Sequence, residues 1–181
     1  MWRSMAQDGM LVTVIRRAAP IVVVVLSVIL AVIAFLLSQS GVQLPAGEDA
    51  RVVRVVDGDT LHVEIAGQTY RLRYIGIDAP ESTSETECFG RQATAFNREL
   101  VAGQRLRLER DVNETDRYGR LLRYAYLPDG RMVNEVLVRE GYAVARSYPP
   151  DVKHQERLRA AERDARSAGR GLWGACSKVT K

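Results

Sequence analysis

Leu61, Val63 and Ile65 alternate with His62, Glu64 and Ala66, and Leu106 and Leu108 alternate with Arg105, Arg107 and Glu109. A period of two puts every second side chain on one face of an extended chain, so both stretches predict half-buried strands. Residues 51–56, 70–77 and 121–127 also read as strands. Helical spacing appears at Ala93, Phe96, Leu100 and Val101, with Gly103 as a stop, and at Val133, Val136 and Leu137, with Gly141 as a stop. A third helix is predicted over 151–168, with Asp151 as N-cap after Pro149 and Pro150, a stripe of Leu158, Ala161, Ala165 and Ala168, and Gly169 to end it. Five short strands with turn signals between them predict a small β-barrel with about three helices packed on it, an α+β domain.

A different pattern precedes this one. Residues 18–38 read AAPIVVVVLSVILAVIAFLLS, without a single charge, and as a helix they would span about 30 Å, the depth of a bilayer core. Arg16 and Arg17 stand just before the segment and Glu48 and Asp49 follow it, so the positive-inside bias predicts a cytoplasmic segment at 1–17, an anchor at 18–38 and an exported remainder. The Gly- and Pro-containing stretch 39–50 reads as a linker, 51–176 as the folded domain and 177–181 as a tail. The alternative is a secreted protein cut from a signal peptide near Ser38-Gln39-Ser40, although hydrophobic regions of such peptides run to only about 7 to 15 residues. Export follows either way.

Composition adds little to this. The net charge is +4, but Arg3, Arg16 and Arg17 against Asp8 place half of it before residue 48, so the total does not argue for a nucleic-acid partner. The two cysteines, Cys88 and Cys176, lie in the exported part, where a disulfide can persist; a bridge and two free thiols both stay open. Two lone cysteines with His62 and His154 do not make a zinc site. Both histidines fall on predicted polar faces and need no role, and Trp173 reads as a packing residue for the last helix.

The candidate chemistry lies at the first hairpin. With its turn around Gly67 and Gln68, strands 60–66 and 70–77 pair so that Asp59 faces Asp78 at the open end. Opposed carboxylates are unfavourable in a sheet unless a cation sits between them, and a hard, oxygen-bound ion is the natural occupant. Calcium is the first choice for an exported protein. The competing readings are plain: Asp57-Gly58-Asp59-Thr60 is ordinary turn chemistry, Glu81 after Pro80 is a solvated loop acid, and the same register sets Arg73 against Glu64 as a cross-strand ion pair. Strict alternation also puts Arg73 and Asp78 on opposite faces, unless Gly76 marks a bulge.

Taken together, Val56-Asp57-Gly58-Asp59-Thr60-Leu61, Arg73 followed by Ile77-Asp78-Ala79-Pro80-Glu81, and Asp116-Arg117-Tyr118-Gly119-Arg120 resemble the staphylococcal nuclease (thermonuclease) family. The likeness continues through residues 132–141 and thinly to Leu172-Trp173. It implies an OB-fold barrel and a calcium-dependent enzyme that hydrolyses DNA and RNA by attack of water on phosphorus, leaving a 3′-phosphate and a 5′-hydroxyl. By the same resemblance Asp59 and Asp78 would ligate the metal with the carbonyl of Ala79. Glu81 would activate water, Arg73 and Arg120 would grip the scissile phosphate, and Arg117, Tyr118 and Tyr148 would line the nucleotide pocket. Two positions depart from the family pattern: Ala79 replaces a threonine and Arg146 a tyrosine. A non-catalytic OB-fold module that binds nucleic acid is the alternative function. Nothing points to a protein partner, and a monomer is expected.

Overall fold

The computed structural model describes residue 29, residues 47–82 and 87–177, and residue 179. Apart from Ile29, the predicted anchor at 18–38 lies outside the described residues, as do 1–17 and the linker before residue 47. Among the described residues no helix is long and apolar enough to cross a membrane.

Five strands close into a barrel in the order β1 (Glu48–Val55), β2 (Thr60–Ile65), β3 (Gln68–Tyr74), β6 (Leu121–Tyr126) and β5 (Arg105–Glu109). All contacts are antiparallel except β3 with β6. Closure leaves no open edge, and the inward positions Val52, Leu61, Val63, Leu72, Leu106 and Leu108 fill the interior. Two short strands, β4 (Ile77–Asp78) and β7 (Val144–Ala145), pair beside the barrel. Helices α1 (Gly90–Val101), α2 (Val133–Arg139) and α3 (Gln155–Ser167), with the short α4 (Leu172–Ala175), complete the fold. Ala93 and Val101 of α1, Leu137 of α2 and Leu158, Ala161 and Ala165 of α3 are buried as the spacing predicts, but Ala168, expected to extend the last stripe, lies just past the end of α3 and is exposed.

The first hairpin differs from its expected register. Its turn is Ala66-Gly67, with φ of 49° and 81°, the left-handed pair that a two-residue hairpin turn requires. Thr60 therefore faces Arg73, and Ile65 faces Gln68. Asp59 and Asp78 are not cross-strand partners. The strand expected over 70–77 ends at Tyr74, because Gly76 takes φ 76° and turns the chain into β4. That turn also removes the parity conflict between Arg73 and Asp78.

Asp151 is not the N-cap of the third helix, which begins at Gln155. Its buried carboxylate instead accepts hydrogen bonds from the amides of Val112 (3.0 Å) and Asn113 (2.8 Å) and from Asn113 Nδ2 (2.7 Å), stapling a loop about 40 residues away. His154 is likewise not a solvated residue. Its Nε2 lies 3.4 Å from both Glu109 carboxylate oxygens and 3.3 Å from the Tyr126 hydroxyl, and its ring meets Tyr124 edge-on. Burial pushes the Glu109 carboxyl up, but hydrogen bonds from Lys153 and Tyr126 outweigh it and hold the group below the usual range.

Cys88 and Cys176 form a disulfide. Tying residues 88 apart stabilises the fold by about 4 to 5 kcal/mol in the chain-entropy account. Trp173 packs under the guanidinium of Arg166, 4.1 Å from the ring centre.

Candidate active site

The loop between β1 and β2 supplies the first carboxylates. The Asp59 amide donates to Asp57 Oδ1 at 3.0 Å, the turn chemistry that Asp-Gly-Asp suggests. Gly58 is required here by close approach: a Cβ would lie 2.5 Å from that of Ala79 and 3.1 Å from that of Ala93. The absence of a side chain lets the loop sit against both β4 and α1. Asn97 of α1 fixes it from behind, donating from Nδ2 to the Asp57 carbonyl at 3.0 Å while its Oδ1 accepts from the Tyr74 hydroxyl at 3.1 Å.

Asp59 is buried, and its carboxylate is held by the Ala79 amide (2.8 Å) and the Thr60 hydroxyl (3.1 Å). Arg73 completes the arrangement. One arm of its guanidinium contacts Asp59 and the other lies 3.0 Å from Asp78 Oδ1. The two aspartates thus meet through a guanidinium that both grip. Glu64, the partner expected for Arg73, pairs instead with Arg51 at 2.8 Å, because the true register places Arg51 opposite it.

Arg120 arrives from the loop before β6. Asp116 organises that loop: its carboxylate accepts from the amides of Tyr118 (2.9 Å) and Arg120 (3.0 Å) and from Arg120 Nε (2.6 Å). Gly119, at φ 72°, closes the turn. Burial raises the Asp116 carboxyl, but these bonds and the adjacent guanidinium outweigh it and leave it below the ordinary value. Tyr118 is exposed, with the guanidinium of Arg117 4.7 Å and that of Arg120 5.5 Å from its ring centre. Arg117 also donates to its hydroxyl at 2.6 Å.

Electrostatics tie the two loops together. Burial lowers the Arg73 pKa; Asp78 opposes that shift, Arg120 adds to it, and Tyr148 and Asp57 oppose it. Burial raises Asp57, against the pull of Arg73 and Arg120. The structure therefore gathers Asp59, Asp78, Ala79, Arg73, Arg120 and Tyr148 at one end of the barrel, with Tyr118 at the rim beside Arg120. Glu81 stands apart. It is exposed, its amide donates to Glu87 at 2.9 Å, and its carboxylate makes no hydrogen bond or ion pair among the described residues. Arg146 contributes a backbone bond to the Gly76 carbonyl at 2.8 Å.

Three further contributors escaped the sequence reading: Asp57, whose half-buried carboxylate belongs to the site's field, Asp116, which aims Arg120, and Gly58. The Asp-Gly-Asp run and the four-residue spacing of Asp116 and Arg120 were the available signals.

Two converging carboxylates suit a hard divalent cation. Among the described residues no three His, Cys, Asp or Glu side chains cluster to hold a metal, and no described cysteine is free. A cation here would take the oxygens of Asp59 and Asp78 and complete its shell from backbone carbonyl, water or substrate, which fits an open oxygen-ligand site and not a zinc site. Beside that anionic pair, the guanidiniums of Arg73 and Arg120 form a place for an oxyanion, and planar paired donors match phosphate oxygens.

A closed five-stranded barrel carrying an acid pair and an arginine pair at one end defines a site suited to a phosphodiester. The profile of the family "Staphylococcal nuclease homologue" matches residues 71–175. A thermonuclease of Staphylococcus hyicus is 36% identical over 162 residues, covering 84% of this chain and 95% of its own length. A thermonuclease of Staphylococcus intermedius is 38% identical over 130 residues, 70% of this chain and 77% of its own. The endonuclease YncB of Bacillus subtilis is 39% identical over 132 residues, 70% of this chain and 62% of its own. The chain belongs to the staphylococcal nuclease family.

Proposed function

We propose that this hydrolytic nuclease is a calcium-dependent phosphodiesterase that cuts DNA and RNA on the outer side of a membrane, to which residues 18–38 attach it. The observation that carries the proposal is the meeting of the Asp59 and Asp78 carboxylates around one guanidinium, with Arg120 close enough to perturb it. A phosphodiester is an anion that repels hydroxide, and its charge becomes more concentrated as water adds to phosphorus. Arg73 and Arg120 answer that charge with fixed donors that need no reorganisation. Calcium held by Asp59, Asp78 and the Ala79 carbonyl would add positive charge against the phosphoryl oxygens and help deprotonate water.

Glu81 follows Ala79 by two residues, and its exposed carboxylate is available to accept or direct the proton of the attacking water. The new P–O bond forms from that water, the bond to the 5′-oxygen breaks, and the departing oxygen leaves as a hydroxyl. Tyr118 and Tyr148, both exposed beside the arginines, offer faces against which a nucleoside can rest.

The test uses the full-length chain in detergent with single- and double-stranded DNA and with RNA. Cleavage is expected in about millimolar calcium, the range of open extracellular sites, to stop on chelation and to return on re-addition. Undiminished cutting in chelator would remove calcium from the proposal. A folded protein that binds but cuts neither polymer would make it a binding module. Membrane attachment is checked separately by fractionation: protein that washes free of membranes, or a mature N-terminus near Gly41, replaces the anchor with a cleaved signal.

A further inference from the structure

The outer face of the barrel carries a row of basic side chains that the catalytic reading does not use. Arg54 of β1 pairs in register with His62 of β2, and His62 with Arg71 of β3. Their sequence neighbours Val55, Leu61 and Leu72 are buried, so the row faces away from the core. Residues paired this way sit about 4.5 to 5.5 Å apart, a spacing at which opposite charges help and like charges harm. The neighbouring register position shows the ordinary solution, with Arg51 paired to Glu64 at 2.8 Å. Arg54 and Arg71 are exposed, and neither has an ion-pair partner among the described residues.

The row is continuous with the site. Arg71 and Arg73 are two residues apart on β3 and share a face, which separates them by about 6.6 Å at the usual strand rise. On β2, His62 shares its face with Thr60, the residue bonded to Asp59. At the far end, a register shift between Val52 and Arg54 places Arg54 on the rim of an open depression of about 280 Å³, walled also by Val53, Arg98 and Gly103. Arg98 is a second exposed guanidinium without an ion-pair partner among the described residues.

We propose that Arg71, His62, Arg54 and Arg98 form a track for the phosphate backbone of the nucleic-acid strand on one side of the cleaved bond. The proposal rests on the nuclease reading and extends it from one phosphodiester to the polymer. Guanidiniums on a convex sheet face contact phosphate oxygens without reading bases, so the track raises affinity for long substrates independently of sequence. It contributes nothing to a substrate with a single phosphodiester.

The experiment compares the full-length chain with the triple variant Arg54→Ala, Arg71→Ala, Arg98→Ala. The substrates are a dinucleotide and a thymidine oligonucleotide of about 20 nucleotides, longer than one such barrel covers. The expected result is a KM for the oligonucleotide about tenfold higher, with kcat and the dinucleotide KM unchanged. The slope of log KM against log salt should also fall by about 2, roughly 0.7 for each lost contact to a single strand. The corresponding triple Lys variant should keep most of that slope. An equal change on both substrates, or none on the long one, overturns the track. If the wild-type chain cleaves neither substrate, the nuclease reading has failed separately. Anisotropy with the same oligonucleotide then decides the track: a tenfold weaker binding of the triple Ala variant supports it, and equal binding overturns it. Loss of retention on anionic phospholipid vesicles with an unchanged oligonucleotide KM would assign the row to a membrane surface instead.

Discussion

Arg73 and Arg123 lie on adjacent strands of the same barrel, one register step apart, and they serve opposite ends. Arg123 is 1% exposed, and its donors are taken up by Glu48, Glu114 and the carbonyls of Glu114 (3.1 Å) and Leu122 (2.9 Å). Arg73 is 14% exposed, its described ion-pair partners are carboxylates, and a second guanidinium perturbs it. The structural arginine is sealed from solvent, with backbone carbonyls as well as two carboxylates saturating its donors. The functional one keeps part of its surface open, and its described ion-pair partners are anions that a cation or phosphate can compete for.

The sharpest break of this comparison is Arg73→Ala. Turnover should fall on the order of 10² to 10³-fold, the usual loss for one transition-state donor, while the denaturation midpoint moves little. A variant that unfolds instead would place Arg73 in the same class as Arg123. Next comes Arg123→Ala, expected to cost about 2 to 4 kcal/mol in denaturant titration through a cavity and abandoned carbonyls. At a temperature where it stays folded, its kcat should approach the wild-type value, and a rate loss like that of Arg73→Ala would erase the distinction.

The smallest effect concerns the field itself. Burial raises Asp57 above its ordinary 3.8, so the folded chain holds that proton more tightly than the unfolded one. Its charge therefore costs stability at neutral pH, and the cost vanishes as pH falls through the folded value and below 3.8. Asp57→Asn should accordingly be slightly more stable than wild type at pH 7, with no advantage in acid. A variant less stable than wild type at pH 7 would mean that Asp57 is held by its partners more than it is penalised by burial.

Much of the architecture was visible in the chain. Period-two runs at Leu61–Ile65 and Leu106–Leu108 mark strands because a closed barrel has one apolar and one outward face. The positions of Asp59, Asp78, Arg73 and Arg120 were legible as a set because their spacing carries a family's pattern. Register was not. Tyr74, Ile75 and Ile77 are all buried, so nothing in their hydropathy signals that the strand stops and turns at Gly76. A hairpin centred two residues late moves every cross-strand partner by four, which is how Arg73, truly opposite Thr60, came to be set against Glu64. Asp151 and His154 escaped for another reason: their partners at Val112, Asn113 and Glu109 are about 40 residues away, and no local pattern announces a side chain that crosses the fold.

The disulfide divides the molecule covalently as well as stabilising it. Residues 88–176 form a closed ring that contains Arg120, Tyr118 and Tyr148, whereas Asp59, Arg73, Asp78 and Glu81 all precede it. A proteolytic nick within the ring leaves both fragments chained together. A nick just ahead of Cys88 severs the acids from that ring, leaving only non-covalent strand pairing to keep the two halves of the catalytic apparatus in one particle.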